Sequence, residues 1–334
     1  MSTIVSLGSA LQDIYLIDRD DFTAADIGDH SIFNKIFIGT KVDIDKIVYQ
    51  VGGGGTNSAV TFARHGHRAI FLGNIGRDTA GEAVLTNLDE EGIDNSFVSI
   101  IPRKQTGCSV ILLDAKTGSR TVLTHRGASA SFSNLDENDL DRIQPDWLYV
   151  TTMRGDLATL ERFFKRAHKL NCKIMFNPGN LELEQKTDLT KLLKYVEILL
   201  INREEASLLL RPKSKTSSPV TPRSLTEQMA HLIQLVPIAI ITDGPMGSIA
   251  CDHHETYRIG LYESTRPKDS TGAGDAFGSG FLAAYANGKD FRSSLVFASA
   301  NSTSVVAHFG AKPGILTGHV RLHQMPIQQI DNPF

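Results

Sequence analysis

Short apolar runs alternate along the chain with segments that have a helical period. Six of these runs are apolar at nearly every position, which is typical of strands covered on both faces of a parallel sheet; they span residues 4–7, 69–72, 147–150, 173–176, 198–201 and 238–241. The segments between them predict helices at residues 56–65, 80–91, 157–170, 203–210, 225–235 and 274–287. The alternation predicts right-handed β-α-β crossovers and an α/β fold.

Two regions interrupt this alternation. The first has no helical period and contains β-branched stretches at residues 36–38 and 46–49. In the second, residues 109–113 and 121–124 predict antiparallel strands, joined by a glycine-containing turn at 115–118. Both regions therefore predict β-structure outside the main sheet.

We expect these regions, residues 14–51 and 97–125, to form a small β-sheet lid over the substrate site. The α/β core then consists of residues 1–13, 52–96 and 126–334. The Pro- and Ser-containing segment 211–226 predicts a mobile surface loop.

The composition narrows the class of protein. Of 334 residues, 41% are hydrophobic and 21% are charged, which is enough apolar material for a large core. The net charge of −3 excludes the strongly basic surface of a dedicated nucleic-acid binder and gives no attraction to an anionic membrane. The sequence has no apolar run near the roughly 18 residues that span a bilayer. It also lacks a basic signal-peptide start and a CxxC pair. We expect a cytoplasmic protein that has neither nucleic-acid nor membrane partners.

A glycine-rich turn before the last predicted helix is the strongest candidate for chemistry. A turn of this kind at a helix start points backbone N–H groups outward at the positive end of the helix dipole, which makes an anion site. Here Gly272, Ala273 and Gly274 would supply these amides, and Asp275 would accept a proton from an attacking hydroxyl. In the alternative interpretation, Asp275 complements the dipole and the glycines permit close packing. The full string over residues 269–281, DSTGAGDAFGSGF, favours phosphoryl transfer.

The segment DSTGAGD at 269–275 resembles the second signature of the ribokinase, or phosphofructokinase B, family of carbohydrate and nucleoside kinases. The segment GGGGTNSA at 52–59 resembles the first signature of that family. Weaker matches agree in order and spacing, at residues 8–13, 76–81, 202–205 and 242–247. The resemblance implies a ribokinase-like three-layer α/β/α sandwich with a mostly parallel central sheet and a small β-sheet lid.

The resemblance also implies a substrate site. Asp13, Gly53 and Asn57 would hold the hydroxyls of the substrate. Asp13 follows the first predicted strand, so we expect it at the carboxyl edge of the sheet, where α/β proteins bind ligands. The alternatives are that Asp13 is a surface turn residue and that Asn57 caps the next helix.

The nucleotide site follows from the same resemblance. Thr242, Gly244 and Gly247 match a loop that contacts nucleotide phosphates and ribose, and Asn301 is the candidate for the adenine site. Asn202 and Glu205 would organise Mg²⁺ through water around the phosphates of ATP, since Mg²⁺ prefers oxygen ligands and keeps water. Spacing alone favours the alternative, in which Asn202 is an N-cap and Glu205 its partner at N3.

A monovalent cation, K⁺, is a further implied cofactor. Its ligands by analogy are Asp269 and Thr271 with carbonyl groups around residues 308–311. The alternative interpretation is a plain loop without an ion.

These features predict an ATP-dependent kinase that phosphorylates a hydroxymethyl group of a small sugar. Ribose is disfavoured, because Leu11, Gly54 and Thr152-Met153 stand where ribokinases carry Asn, Lys and a sugar-binding Glu. A nucleoside kinase acting on an adenosine-like substrate is the alternative, and a non-catalytic sugar or nucleotide sensor is a third hypothesis. A dehydrogenase is disfavoured because residues 8–13 lack G-x-G-x-x-G. A homodimer through the lid is also expected.

Overall fold

The protein is described by a computed structural model over residues 1–18, 41, 43–114, 120–211, 224–264 and 267–333. The strands, in chain order, are β1 (Thr3–Leu7), β2 (Leu11–Asp18), β3 (Lys46–Gly52), β4 (Arg68–Leu72), β5 (Asn74–Gly76), β6 (Ser99–Ile101), β7 (Gly107–Asp114), β8 (Arg120–His125), β9 (Trp147–Val150), β10 (Lys173–Phe176), β11 (Ile198–Asn202), β12 (Ile238–Thr242), β13 (Ser248–Cys251), β14 (Thr256–Ile259) and β15 (Ile327–Ile330). The α-helices are α1 (Gly54–Arg64), α2 (Thr79–Glu90), α3 (Asp139–Ile143), α4 (Leu157–Lys169), α5 (Asn180–Glu184), α6 (Lys186–Leu192), α7 (Arg203–Leu210), α8 (Leu225–Leu232), α9 (Ala273–Ala286) and α10 (Phe291–Val306).

The main sheet of the described residues has nine strands in the order β15-β14-β13-β12-β11-β10-β9-β1-β4. The six strands from β12 to β4 are parallel, and they are the six that the apolar runs predict. The three strands β13, β14 and β15 extend the sheet in antiparallel fashion and were not predicted. Their sequences alternate or contain polar residues, so they do not carry the continuous apolar signal of a strand buried on both faces.

Two hydrophobic cores lie on opposite faces of this sheet. In β9, Leu148 and Val150 lie in one core, whereas Tyr149 lies in the other. The first core includes side chains from α3 to α8, and the second includes side chains from α1, α2, α9 and α10. A fully buried Leu or Phe side chain contributes about 1.5 to 3 kcal/mol to folding, so consecutive apolar residues in the strands are needed to stabilise both layers. The expected three-layer α/β/α sandwich is confirmed.

The six predicted helices are present, and no end differs by more than three residues from the predicted one. Helix α10 was not predicted, because Phe291–Val306 is rich in serine and threonine, which compete for backbone hydrogen bonds and weaken the helical signal. Asp290 caps this helix by accepting a hydrogen bond from the Ser293 amide. Helix α10 packs along α9 and thereby supports the glycine-rich turn at the start of α9.

A separate sheet of four described strands, called the small sheet below, has the order β3-β2-β7-β8. Strands β7 and β8 pair in antiparallel fashion, as the sequence predicts. The stretch at 36–38, the turn at 115–118 and most of the loop at 211–226 lie outside the described residues. The division into a core and a lid that closes over a substrate stays a prediction.

The strand that carries Asp13 was not predicted. Strand β2 begins at Leu11, so Asp13 belongs to the small sheet and pairs in register with Gln50 and Ser109. Three residues, 8–10, connect β1 to β2, and the chain passes from the main sheet into the small one before it reaches Asp13. Asp13 therefore does not extend from a strand end of the main sheet.

Within the described residues, no helix combines the length and the apolar character that crossing a membrane requires. Cys108, Cys172 and Cys251 are free thiols among these residues. Burial raises the pKa of Cys172 to about 12, so this thiol is unreactive at neutral pH.

Candidate active site

The glycine-rich turn is a tight junction at the start of α9. Gly272 has φ +77° and caps the helix, and a Cβ added to it would lie 2.4 Å from the Cβ of Ala311. Only glycine fits such a position without strain. The first amides of a helix have no partner within the helix. The amide of Ala273 donates a hydrogen bond of 3.3 Å to the carbonyl of Ser270, so those of Gly274 and Asp275 are the ones available to an anion.

Asp275 lies in the first turn of α9 and contacts α1. Its Oδ2 accepts a hydrogen bond of 3.0 Å from Nδ2 of Asn57. Protein atoms that replace water around the carboxyl group raise its pKa, and the hydrogen bond from Asn57 opposes that rise. Oδ1 of Asn57 is buried and has no hydrogen-bond partner among the described residues, so it can accept one from a bound hydroxyl.

Residues 52–55 let two carboxylates approach the backbone closely. A Cβ added to Gly52 would lie 1.9 Å from Oδ2 of Asp13, and one added to Gly54 would lie 3.2 Å from Oδ1 of Asp275. Gly53 has φ +96° and precedes α1 as its N-cap. The structure therefore brings Asp13, Gly53, Asn57 and Asp275 together around one glycine turn.

Asp13 is buried, with 6% of its surface exposed. Burial is the largest effect on its carboxyl group and raises the pKa to about 6. A hydrogen bond with Ser109 and the positive charge of Lys312 lower the pKa, whereas the negative charges of Asp269 and Asp275 raise it. Three carboxylates thus influence one another at this site, and binding of a hydroxylated ligand to Asp13 would stabilise its ionised form.

A cavity of about 440 Å³ lies on the other side of the α9 start. Three residues predicted for the nucleotide loop, Thr242, Gly244 and Gly247, line it, as does Asn202. Ala273 and Gly274 line it too, so the cavity reaches the amides of the glycine-rich turn. Its remaining wall includes Phe277, Ser299, Ser302, Thr303 and Val306.

Asn202 and Glu205 form the capping arrangement that their spacing allows. Oδ1 of Asn202 accepts a 2.9 Å hydrogen bond from the Glu205 amide, and Oε2 of Glu205 accepts a 2.8 Å hydrogen bond from the Asn202 amide. Burial raises the pKa of Glu205. The described residues contain no group of three or more acidic, cysteine or histidine side chains that could hold a metal ion. A role for Glu205 in Mg²⁺ binding through water stays a prediction.

Asn301 lies away from the cavity, contrary to its predicted role with the adenine. Its Nδ2 donates to the carbonyl of Ala276 at 2.8 Å, and its Oδ1 accepts from the amide of Leu316 at 2.9 Å. The side chain is fully buried, so both ends of its amide are used inside the protein. Asn301 joins α10 to α9, and its neighbours Ser299, Ser302 and Thr303 line the cavity instead.

Several polar groups near the site were not predicted. Oγ1 of Thr151, at the end of β9, is buried and has no hydrogen-bond partner among the described residues. Its methyl group would lie 3.1 Å from a Cβ at Gly54, which places Thr151 beside Asp275. Lys312 is buried, and burial lowers the pKa of its ammonium group to about 7. For Thr151, its position after a buried strand was the available signal; for Lys312 the sequence carried none.

Comparison with known proteins shows the family. A model described as pfkB family carbohydrate kinase matches residues 1–317. The chain is 28% identical to the ribokinase of Bacillus subtilis over 80% of this chain and 84% of that protein. It is 27% identical to the fructokinase of Vibrio alginolyticus over 75% of this chain and 81% of that protein.

Solved structures with the same fold include two kinases. The ribokinase of Arabidopsis thaliana complexed with ribose and ATP has a TM-score of 0.75 at 22% identity, with 95% of this chain and 96% of that chain covered. The nucleoside kinase of Burkholderia thailandensis in complex with inosine has a TM-score of 0.74 at 19% identity, with 95% of each chain covered. Together with the sequence matches, the fold and the glycine-rich turn lead to one conclusion: the chain belongs to the pfkB family of carbohydrate kinases, which are phosphotransferases with an alcohol group as acceptor.

Proposed function

We propose that this protein transfers the γ-phosphoryl group of ATP to a hydroxymethyl group of a small sugar. The position of Asp275 carries the proposal. The residues just before it line the 440 Å³ cavity, and its carboxylate accepts a hydrogen bond from Asn57 on the side of the glycine turn. Asp275 thus separates a cavity suited to a nucleotide from a cluster of polar groups suited to a sugar.

Asp275 acts as the general base in this proposal. Its carboxylate orients the attacking hydroxyl and takes its proton as the bond to phosphorus forms. In a loose phosphoryl-transfer transition state the proton moves late, so the position of the carboxylate matters more than its basicity. Asn57 holds Oδ2 in place, which leaves Oδ1 beside Gly54 for the hydroxyl.

The amides at the start of α9 stabilise the negative charge on the transferred group. They belong to a helix of 14 residues and point in one fixed direction, so they need no rearrangement during the reaction. When bound, ATP with Mg²⁺ would supply the phosphoryl group and neutralise part of its charge. Thr242, Gly244, Gly247 and Asn202 would hold the nucleotide, and Glu205 would hold a water ligand of the metal.

The acceptor binds to Asp13, Asn57 and the backbone at Gly53. Asp13 is an acceptor for two hydroxyls, and Oδ1 of Asn57 lacks a partner among the described residues and accepts a third hydrogen bond. The hydroxyls of a bound sugar would supply the hydrogen bonds that these buried acceptors no longer receive from water. This exchange favours polyhydroxylated molecules over apolar alcohols.

A nucleoside is the second candidate for the acceptor. Leu11 stands where ribokinases carry Asn, and it is buried at 7% exposure where β2 begins, two residues before Asp13. An apolar side chain there suits a flat base better than another sugar hydroxyl. The fold shared with the nucleoside kinase from Burkholderia thailandensis is compatible with this alternative.

Turnover of ATP against a panel of acceptors tests the proposal. Purified protein is incubated with ATP and Mg²⁺ and with pentoses, hexoses, sugar acids or nucleosides, and ADP and phosphorylated product are measured. Product from at least one sugar is expected. Product from nucleosides alone would support the second candidate, and binding without turnover of every compound would support a non-catalytic sensor.

We also propose that the protein is cytoplasmic and forms a homodimer through the small sheet. Large apolar side chains on both outer strands of that sheet are exposed, among them Tyr49 at 63% and Leu123 at 49%. Burial of such residues against a second copy would stabilise a dimer. The molar mass from light scattering tests this, and a reduced mass is expected for Tyr49→Ser.

A further inference from the structure

Asp269 is a buried carboxylate three residues before Gly272, where the glycine-rich turn begins. Its Oδ1 accepts hydrogen bonds from the amide and the hydroxyl of Thr271, at 2.9 and 2.6 Å. Its Oδ2 accepts a hydrogen bond of 3.0 Å from the amide of Gly310. These bonds tie the glycine-rich turn to the chain segment at 308–311.

Two of the oxygens expected to bind a monovalent cation at this position already accept hydrogen bonds from the protein. A cation such as K⁺ is held by several oxygens that replace its water shell. Of the oxygens expected to bind it, Oδ1 of Asp269 already accepts two hydrogen bonds, and the carbonyl of Phe309 accepts one of 3.1 Å from Nε2 of Gln50.

A positive charge is already present beside Asp269. The guanidinium of Arg120, at the start of β8, donates from Nη1 to Oγ of Ser270, and its Nε lies 3.9 Å from Oδ1 of Asp269. A buried carboxylate needs such a counter-charge. A second cation bound to Asp269 would lie close to the guanidinium and would be repelled by it.

We infer that Arg120 takes the place of a monovalent cation beside the phosphate-binding turn, so that the enzyme works without one. Arg120 is a positioning residue in this inference, because it acts on the turn through Asp269 and Ser270. The part of the inference that concerns catalysis rests on the proposed kinase function. Its structural part, that no cation binds while Arg120 is present, does not depend on turnover.

Arg120 also connects the small sheet to the phosphate site. Gln50 of β3 and Arg120 of β8 belong to opposite edges of that sheet, and each donates to one of the two segments that Asp269 joins. A bound ion would stabilise the turn whatever the position of the small sheet. With Arg120 in its place, the order of the turn depends on the position of the sheet.

The test compares wild type with Arg120→Gln, Arg120→Lys and the control Lys46→Gln. Lys46 is an exposed residue of β3, so its substitution removes one positive charge from the same sheet away from the turn. Thermal unfolding and kinase rate are measured in KCl and in tetramethylammonium chloride at equal ionic strength. Thermal unfolding reports cation binding by mass action even where there is no turnover.

In wild type and Lys46→Gln, we expect the same unfolding temperature and rate in both salts. Arg120→Gln should lose a factor of about 10 to 100 in kcat in tetramethylammonium chloride, as for other residues that position a site indirectly. K⁺ should raise both its rate and its unfolding temperature, whereas Arg120→Lys should keep most of the rate without K⁺.

Three results would overturn the inference: a K⁺-specific rise in the rate or unfolding temperature of the wild type, an Arg120→Gln rate equal to that of the control, or indifference of Arg120→Gln to K⁺. If the wild type transfers no phosphoryl group to any acceptor, the proposed function fails. The unfolding temperatures of wild type and Arg120→Gln in the two salts then still decide whether Arg120 occupies a cation site.

Discussion

Nδ2 of Asn57 lies 3.0 Å from Oδ2 of Asp275 and joins the first turns of α1 and α9. The two residues are 218 positions apart in the chain, and each follows a glycine turn that directs the start of its helix. The hydrogen bond fixes the carboxylate that we propose as the base. It also makes the two signature segments of the family one structural unit.

Asp275→Asn should lower kcat by a factor of about 10² to 10⁴, the usual contribution of a general base. The amide keeps the size of the side chain but cannot take a proton. Affinity for ATP, measured by calorimetry, should stay close to that of the wild type. The matched control is Asp290→Asn, which keeps a good N-cap on α10 and should leave the rate unchanged. Near-normal turnover of Asp275→Asn would refute the role of the base.

Asn57→Ala should move the acid limb of the pH–rate profile to higher pH. The hydrogen bond from Asn57 lowers the pKa of Asp275, so its removal raises that pKa, and the ionised base is then present only at higher pH. The KM for the acceptor should rise as well, because a hydrogen-bond acceptor is lost. Rates from pH 5 to 9 at several acceptor concentrations give both quantities. An unchanged acid limb would mean that Asp275 does not control it.

Asp13→Asn should change how the free energy of unfolding depends on pH. The pKa of Asp13 is about 6 in the folded protein, against an ordinary value of 3.8. Because the folded state holds the proton more tightly, ionised Asp13 destabilises the protein, by about 3 kcal/mol in full. This cost is complete above pH 6, shrinks as the pH falls from 6 to about 4, and vanishes below that range.

The free energies of unfolding of wild type and Asp13→Asn, measured by urea titration from pH 4 to 7.5, isolate this effect. The stability of the variant relative to wild type should increase as the pH rises through this interval. A difference that does not vary with pH would contradict the raised pKa. The constant part of the difference reports lost hydrogen bonds and does not enter the test.

Gly272→Ala should destabilise the protein and impair turnover. The positive φ costs about 1 to 2 kcal/mol for a residue with a Cβ, and the contact of that Cβ with Ala311 at 2.4 Å adds to this cost. Gly288→Ala is the control, because its φ is +81° and no described atom lies within 4 Å of an added Cβ. It should show the strain alone and keep its rate. Equal stability and activity of the two variants would show that the turn tolerates displacement.

The sequence predicted the parallel part of the main sheet well, because each of its strands is buried on two faces and is therefore apolar at successive positions. It predicted the glycine-rich turn from local chemistry, since a positive φ and an open helix start both require glycine. The capping pair Asn202 and Glu205 was also visible in its spacing. Strands β13 to β15 and helix α10 were missed because their residues have only weak local preferences for these structures. Tertiary packing decides their conformation instead.

What the sequence by itself determined is the set of elements whose signal is local: buried strands, amphipathic helices, and glycine turns that open helices. The tertiary structure alone decided which distant residues meet. It paired Asn57 with Asp275, and it brought Arg120 into contact with Ser270, which lies 150 residues further along the chain. It also made Asn301 an internal link between two helices and placed Asp13 in the small sheet. The physical reason is that such contacts depend on how the sheets and helices pack in space. The separation of two residues along the chain does not predict whether that packing brings them together.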